Sequence, residues 1–541
     1  MKDWREHRQR WDCRHDYLEI FLKYMCRELI CLTRWVGMLA VIWGSACGGL
    51  GAVSVPVIFS NNMVIQRDMP VPVWGWAKPG ERVTCEMGGG KVTGEANADG
   101  QWMLRLPAMP AGGPFEMEVR GENTLRFTGV LVGEVWVCSG QSNMEMGVGM
   151  SKDGKKEVGG ASHAKIRLFL VPRRASGRMM RDVEARWKEC SPASIVEGGW
   201  NGFSAVAYYF GRELQEVLKV PIGLIESSWG GTRIEPWTPP VGFAGVPELR
   251  GIGEKVEVAN ADDVKATGVV LERAEQAVKL ARRELAEGKA VAPISVVIPK
   301  HRLEGNGDPS SLYNGMIHPL VPFGMRGVIW YQGESNNGEG MLYLAKMKAL
   351  IGGWRKVWGQ GDFPFLYVQI APYKYGLGRM ELPMIWNAQL AALTIPNTGM
   401  AVTTDIATVN DIHPPNKQEV GHRLALWALA KTYGKPEYVF SGPIYRGMKV
   451  SGNQVTVAFD ELGTGLDAMD DLDLTHFELA GEDGKFFPAK ATIVGEVVVV
   501  TAEGLEAPTR VRMGWDQLAR PNLGNKEGFP ASPFSSAELG R

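Results

Sequence analysis

Two polar side chains far apart in the chain have the types and settings that acyl-transfer chemistry needs. Ser142 lies in Ser139-Gly140-Gln141-Ser142-Asn143-Met144, directly after the apolar run Val130 to Cys138. A buried strand that runs into a glycine-flanked turn delivers the turn residue to the carboxyl edge of a sheet, where ligands of open α/β sheets bind. A serine hydroxyl there can act as nucleophile while neighbouring backbone N–H groups face a developing oxyanion. A polar loop with an N-capping serine would use the same residues. His413 lies in Asp411-Ile412-His413-Pro414-Pro415-Asn416, directly before a helix. Asn416 with Glu419 makes a capping-box pair, and Val420, Leu424, Trp427 and Lys431 follow helical spacing. An imidazole held rigidly at a helix entrance suits a general base when a serine and a carboxylate lie beside it; taken alone it is a structural hydrogen-bonder.

Two more polar loops follow apolar strands. Trp330-Tyr331-Gln332-Gly333-Glu334-Ser335-Asn336 carries amides that can bind an oxyanion or a sugar hydroxyl. Glu226-Ser227-Ser228-Trp229-Gly230-Gly231-Thr232-Arg233 brings a glycine pair, whose N–H groups can approach a tetrahedral intermediate closely, and a guanidinium for a carboxylate or hydroxyls. Each loop alone reads as a turn or a surface salt bridge. Four such loops at successive strand ends point to one cleft.

The elements that must position these loops are near-continuous apolar strands alternating with helices, the pattern of a parallel sheet wrapped by helices. Val130 to Cys138, Ile166 to Val171, Ile222 to Ile225, Gly327 to Trp330, Phe365 to Ile370 and Gly399 to Thr403 read as strands, and Ala205 to Leu218, Met341 to Val357 and Lys417 to Tyr433 as helices. The spacing predicts an α/β domain over residues 128–436, with a charged, Ala-rich helical insertion at about 245–292 whose charge reads as a solvated face. Before it, residues 54–127 show the short alternating segments of a β-sandwich-like module, such as Val71 to Trp76 and Trp102 to Leu106. After it, residues 437–541 return to alternating strands.

A chain of 541 residues with 45% hydrophobic and 22% charged residues is long enough for several cores, and a formal net charge of -1 supplies no field for nucleic acid. Residues 1–53 read as a leader: a basic lead-in, the apolar run Trp35 to Trp43, too short for a membrane span, and then small residues. Translation starting at Met25 or Met38 would fit that pattern better. Ser45-Ala46-Cys47 is a candidate lipid-anchor site, although Gly44 stands where Leu is usual. Of seven cysteines, Cys13, Cys26, Cys31 and Cys47 fall in or beside the leader; Cys85, Cys138 and Cys190 read as buried thiols, with neither a disulfide framework nor a metal site indicated.

Gly140 to Met144, Trp330 to Asn336 and Asp411 to Lys417 closely resemble the motifs of the sialate O-acetylesterase family, within the SGNH hydrolase group. Phe59 to Arg67 and Val71 to Trp76 resemble that family's leading β-domain. The resemblance implies a flavodoxin-like core and a cofactor-free, metal-free esterase that hydrolyses acetyl esters of sialic acids or related sugars through an acyl-enzyme. By position it makes Ser142 the nucleophile and His413 the base. The Ser142 N–H, Gly230 or Gly231, and Gln332 would bind the oxyanion, with Gln141, Arg233, Glu334 and Asn336 lining the substrate side. The residue three before His413 is Asn410, where many SGNH enzymes have Asp, so the orienting acid is Asp411 first, with Asp405 and Glu334 as rivals and a dyad using a backbone carbonyl as a further option.

The same chemistry would serve an acetylxylan or other polysaccharide esterase. A non-catalytic carbohydrate-binding protein would draw on the two β-modules and the 18 Trp, although Trp74, Trp76 and Trp427 fall at core-like positions. The expected partner is an acetylated carbohydrate; the expected location is outside the cytoplasm, periplasmic or secreted. The sequence gives no oligomeric state.

Overall fold

The computed structural model describes residues 52–376 and 378–539. The leader reading, including Met25, Met38, Trp35 to Trp43 and Cys47, falls outside them apart from its last two residues. The central sheet is built on a 17-residue strand β1 (Thr124–Gly140), followed by β2 (His163–Leu170), β3 (Trp187–Cys190), β4 (Ile222–Ser228), β5 (Gly327–Tyr331), β6 (Phe365–Val368) and β7 (Thr398–Ala401). Their order across the sheet is β7-β6-β5-β1-β4-β2-β3. All of these pairings are parallel except that of β3, which lies antiparallel on the edge beside β2. Taken as β4-β1-β5-β6-β7, the order is the flavodoxin-like one, in which the chain reverses direction of winding on either side of β1. That reversal opens a crevice at the carboxyl end of β1, between the ends of β4 and β5.

Burial explains the composition of the strands. Val135, Trp136, Val137 and Cys138 are each at most 1% exposed because helices cover both faces: α1 (Ala205–Leu218) and α4 (Lys417–Trp427) pack together, and Trp354 of α3 (Leu342–Trp358) packs edge-on against Trp330 of β5 and Phe365 of β6. The predicted helices appear with shifts of a residue or two. The last ends at Trp427 rather than Tyr433, and its final turn widens into a π-turn over Ala428–Thr432. The insertion is a single 37-residue helix, α2 (Arg250–Ala286).

The flanking modules are antiparallel sheets, except that Val64–Gln66 runs parallel to β1. No break separates the first from the core. The early part of β1 pairs with Gly112–Arg120 and its later part with β4 and β5, so one strand runs across the boundary expected at 127/128. A buried carboxylate strengthens this junction. Glu134 is wholly buried and receives Arg67 at 2.5 Å, Arg326 at 2.7 Å and Gln66 at 3.0 Å. Trp427 is 5% exposed as its core-like spacing implies, whereas Trp74 and Trp76 are only partly covered: they share one face of Val71–Trp76, opposite the buried Val71 and Val73. Cys85, Cys138 and Cys190 are buried free thiols, and burial drives their pKa upward, Cys85 and Cys190 to about 12. Among the described residues no helix is long and apolar enough to cross a membrane.

Candidate active site

Strand β1 ends at Gly140, which lies in register between Ser228 and Tyr331 of its two neighbours, its carbonyl accepting from Trp229 N–H at 3.1 Å. A Cβ there would lie 2.1 Å from the Tyr331 carbonyl oxygen, and φ is +143°, so only glycine permits this close backbone approach. The chain then turns into the short helix Ser142–Glu145, which presents Ser142 in the crevice. From the opposite side the Asn416 side chain caps α4, accepting from Glu419 N–H at 3.3 Å, and fixes the preceding loop. His413 on that loop meets Ser142 across 271 residues of sequence, with Nε2 to Oγ at 2.9 Å. The indole of Trp200 stands edge-on to the imidazole, with centroids 4.6 Å apart.

The acids lie differently from the sequence expectation. Asp411 accepts the backbone N–H of His413 at 2.9 Å rather than a ring N–H. Asp405 is taken by Arg423 through a bidentate pair at 2.7 and 2.6 Å. Glu334 is buried against Asn143, whose Nδ2 donates to Glu334 at 2.6 Å and to the Ile412 carbonyl at 2.9 Å, while Lys417 Nζ donates to Asn143 Oδ1 at 2.5 Å. Asn143 thereby ties the turn of Ser142 to the residue before His413. Burial lowers the His413 pKa, the Lys417 charge lowers it further, and Asp411 opposes both. Burial also lowers Lys417 to about 7 and raises Glu334. A depressed imidazole pKa keeps the ring neutral, and able to accept a proton, near neutral pH.

The expected oxyanion and substrate residues divide into two groups. Gly230 spends its N–H on Glu145 at 2.8 Å, and Glu145 is in turn paired with Arg173. Both Gln332 N–H groups are used, one on the Thr232 carbonyl at 3.2 Å and one on Asn336 Oδ1 at 2.8 Å, and its oxygen accepts from Tyr343 at 2.8 Å. Asn336 is likewise saturated, accepting from Ile234 N–H and donating to Glu235 and Glu339, and Arg233 is paired with Glu339. These four form the scaffold beneath the cleft. By contrast, the Ser142 and Gly231 N–H groups have no acceptor among the described residues. Gly231 has φ +74° and faces open space. Gln141 is 3% exposed, and its oxygen accepts from Ser335 N–H at 3.2 Å. Asn143, Lys417, Glu145, Arg173 and Trp200 were not among the expected site residues. Asn143 and Lys417 sit inside the motifs, but only their contacts distinguish them.

A serine hydroxyl held on an imidazole at the switch point of a parallel sheet is the arrangement of an α/β serine hydrolase. Comparison with known proteins narrows that class. Residues 132–268 and 299–430 match the family described as carbohydrate esterase, sialic acid-specific acetylesterase. Mouse sialate O-acetylesterase is 33% identical over 442 residues, covering 74% of this chain and 78% of its own, and the human protein is 32% identical over 439 residues, 75% of each. The crystal structure of a carbohydrate acetylesterase from Xanthomonas citri superposes with a TM-score of 0.75 at 34% identity, covering 90% of this chain and 99% of the other. The chain belongs to the sialic acid-specific acetylesterase family of carbohydrate esterases. It is an esterase acting on acetylated sugars.

Proposed function

We propose that the enzyme removes O-acetyl groups from sialic acids through an acyl-enzyme on Ser142, with His413 as base. The observation that carries this reading is the 2.9 Å contact between Ser142 Oγ and His413 Nε2. As Oγ attacks the acetyl carbonyl, its proton passes to Nε2. The tetrahedral intermediate collapses, the sugar C–O oxygen leaves with that proton, and water, deprotonated by the same imidazole, releases acetate and frees Ser142. The uncommitted N–H groups of Ser142 and Gly231 stabilise the oxyanion, in place of Gly230 and Gln332. Among the described residues no carboxylate accepts the ring N–H of His413, so the pair works as a dyad. Its imidazole is oriented by Trp200 and by the loop that Asp411 and Asn143 tie down, and Asp411 contributes charge rather than a hydrogen bond to the ring.

Sialic acid is favoured over acetylated xylan by the named activity of the mammalian relatives. Acetate release from matched O-acetylated sialic acids and acetylxylan is the test, and faster turnover of the xylan would overturn the substrate assignment. A fluorophosphonate probe should label the wild-type protein and not Ser142→Ala; labelling that survives this substitution would overturn the nucleophile. The leader pattern supports export, which N-terminal sequencing of protein recovered outside the cytoplasm would test.

A further inference from the structure

Helix α2 is about 55 Å long at 1.5 Å per residue, but only its first part is packed. Gly253, Val256 and Ala259 are its buried residues, and Val256 and Ala259 sit in a small core with Phe243, Leu249 and Leu303. Asp262 and Asp263 make its last ion pairs to the body, with Arg302 and Arg178. Beyond them no residue of the helix is buried: Val264, Val269, Leu271, Val278, Leu280 and Leu285 are exposed, while Thr267, Val270, Ala274, Ala277 and Ala281 are partly covered. Of the 22 large hydrophobic side chains exposed among the described residues, seven lie on this helix, including Val264 at 72% and Leu285 at 71%, and five more on the segment Val291 to Ile298 that follows it. Such a concentration marks an interaction surface.

Its spacing says what kind. Val264, Leu271, Val278 and Leu285 recur every seven residues, with the small residues Thr267, Ala274 and Ala281 three positions after the first three of them. This is a two-position heptad stripe, the seam of a two-helix coiled coil. Glu275 and Arg282 take the same flanking position in successive heptads, and neither has an ion-pair partner among the described residues. In a parallel pair their flank would face Val270 and Ala277. In an antiparallel pair centred between them, Glu275 of one copy meets Arg282 of the other, twice. The stretch from Leu271 to Lys289 mixes acidic and basic residues evenly, which does not favour an anionic membrane surface.

We propose that residues 264–285 pair antiparallel with the same segment of a second copy of this chain, forming a two-fold dimer through α2. Small residues at the alternate seam positions allow close helix approach, and a self-complementary patch is what a two-fold interface requires. The active-site crevice, built from β1, β4, β5 and the loop before α4, contributes nothing to this contact.

The test is the mass of the full chain by light scattering and sedimentation across micromolar concentrations. The wild type should be a dimer. Val278→Glu should halve the mass while leaving aryl acetate turnover unchanged, which also shows that the variant is folded. Glu275→Arg should weaken the dimer, and Glu275→Arg combined with Arg282→Glu should restore it. A monomeric wild type, a dimer indifferent to Val278→Glu, or a charge swap that fails to restore association would each overturn the proposal. So would a monomer that co-sediments with phosphatidylglycerol vesicles through this helix.

Discussion

At the scale of single residues, the chemistry rests on how the imidazole is charged and held. Ser142→Ala or His413→Ala should lower kcat by at least about 10³-fold with little change in thermal midpoint, measured with an aryl acetate and by calorimetry, since neither side chain belongs to the core. The pH profile gives a finer readout. His413 must be neutral to accept a proton, so kcat/KM should rise with pH through its pKa, with a midpoint below the ordinary 6.5 because burial and Lys417 both depress it. Lys417, with its own pKa near 7, carries its charge over that range. Lys417→Met removes this charge and should move the acidic limb to higher pH. An unmoved limb in a folded variant would show that Lys417 does not act on the imidazole.

At the scale of elements, the strand ends hold buried carboxyls whose cost depends on pH. Glu226 on β4 is 3% exposed, its oxygens accept from Ser204 N–H at 2.8 Å and Ser228 Oγ at 2.9 Å, and burial raises its pKa from 4.5 to about 8. The folded state therefore holds a proton that the unfolded chain has released between those values. Its contribution is fully present below pH 4.5 and is lost as pH rises toward 8. Glu226→Gln keeps an acceptor for Ser204 and cannot ionise, so denaturant midpoints should fall less between pH 5 and 8 than in the wild type.

At the scale of the whole molecule, the first β-module and the α/β core share a strand and a buried ion cluster, and so should unfold together. Glu134→Ala would leave Arg67 and Arg326 facing each other without their common carboxylate. A loss on the order of 3 kcal/mol is expected, eased to the extent that water reaches the two partly exposed guanidiniums. A single cooperative transition, shifted as a whole, is the expected calorimetric result; two separated transitions would show that the modules are independent.

The sequence by itself marked the parallel strands and the helices α1, α3 and α4, because buried parallel strands must be apolar along their whole length and surface helices only on one face; it missed the short edge strand β3 and the helix Glu381–Ala391, which is buried nearly all round and so shows no one-sided pattern. It also marked Ser142 and His413 as candidates, because a glycine-flanked turn after such a strand and a capped helix entrance are local patterns, and the fold brings the two within 2.9 Å. Sequence left the partners of each polar group undecided. Gly230, Gln332 and Asn336 looked like ligand-facing donors, yet Glu145, Thr232 and Glu235, each remote or unmarked in the motifs, take up their N–H groups. Asp411 looked like the acid behind the imidazole, but two residues of separation bring its carboxylate to the backbone of His413. Those bonds of Gly230, Gln332 and Asn336 join residues 85 to 101 positions apart, and no local pattern records which acceptor each donor finds. Only the tertiary structure, by closing those loops on one another, decided which groups were left free for a substrate.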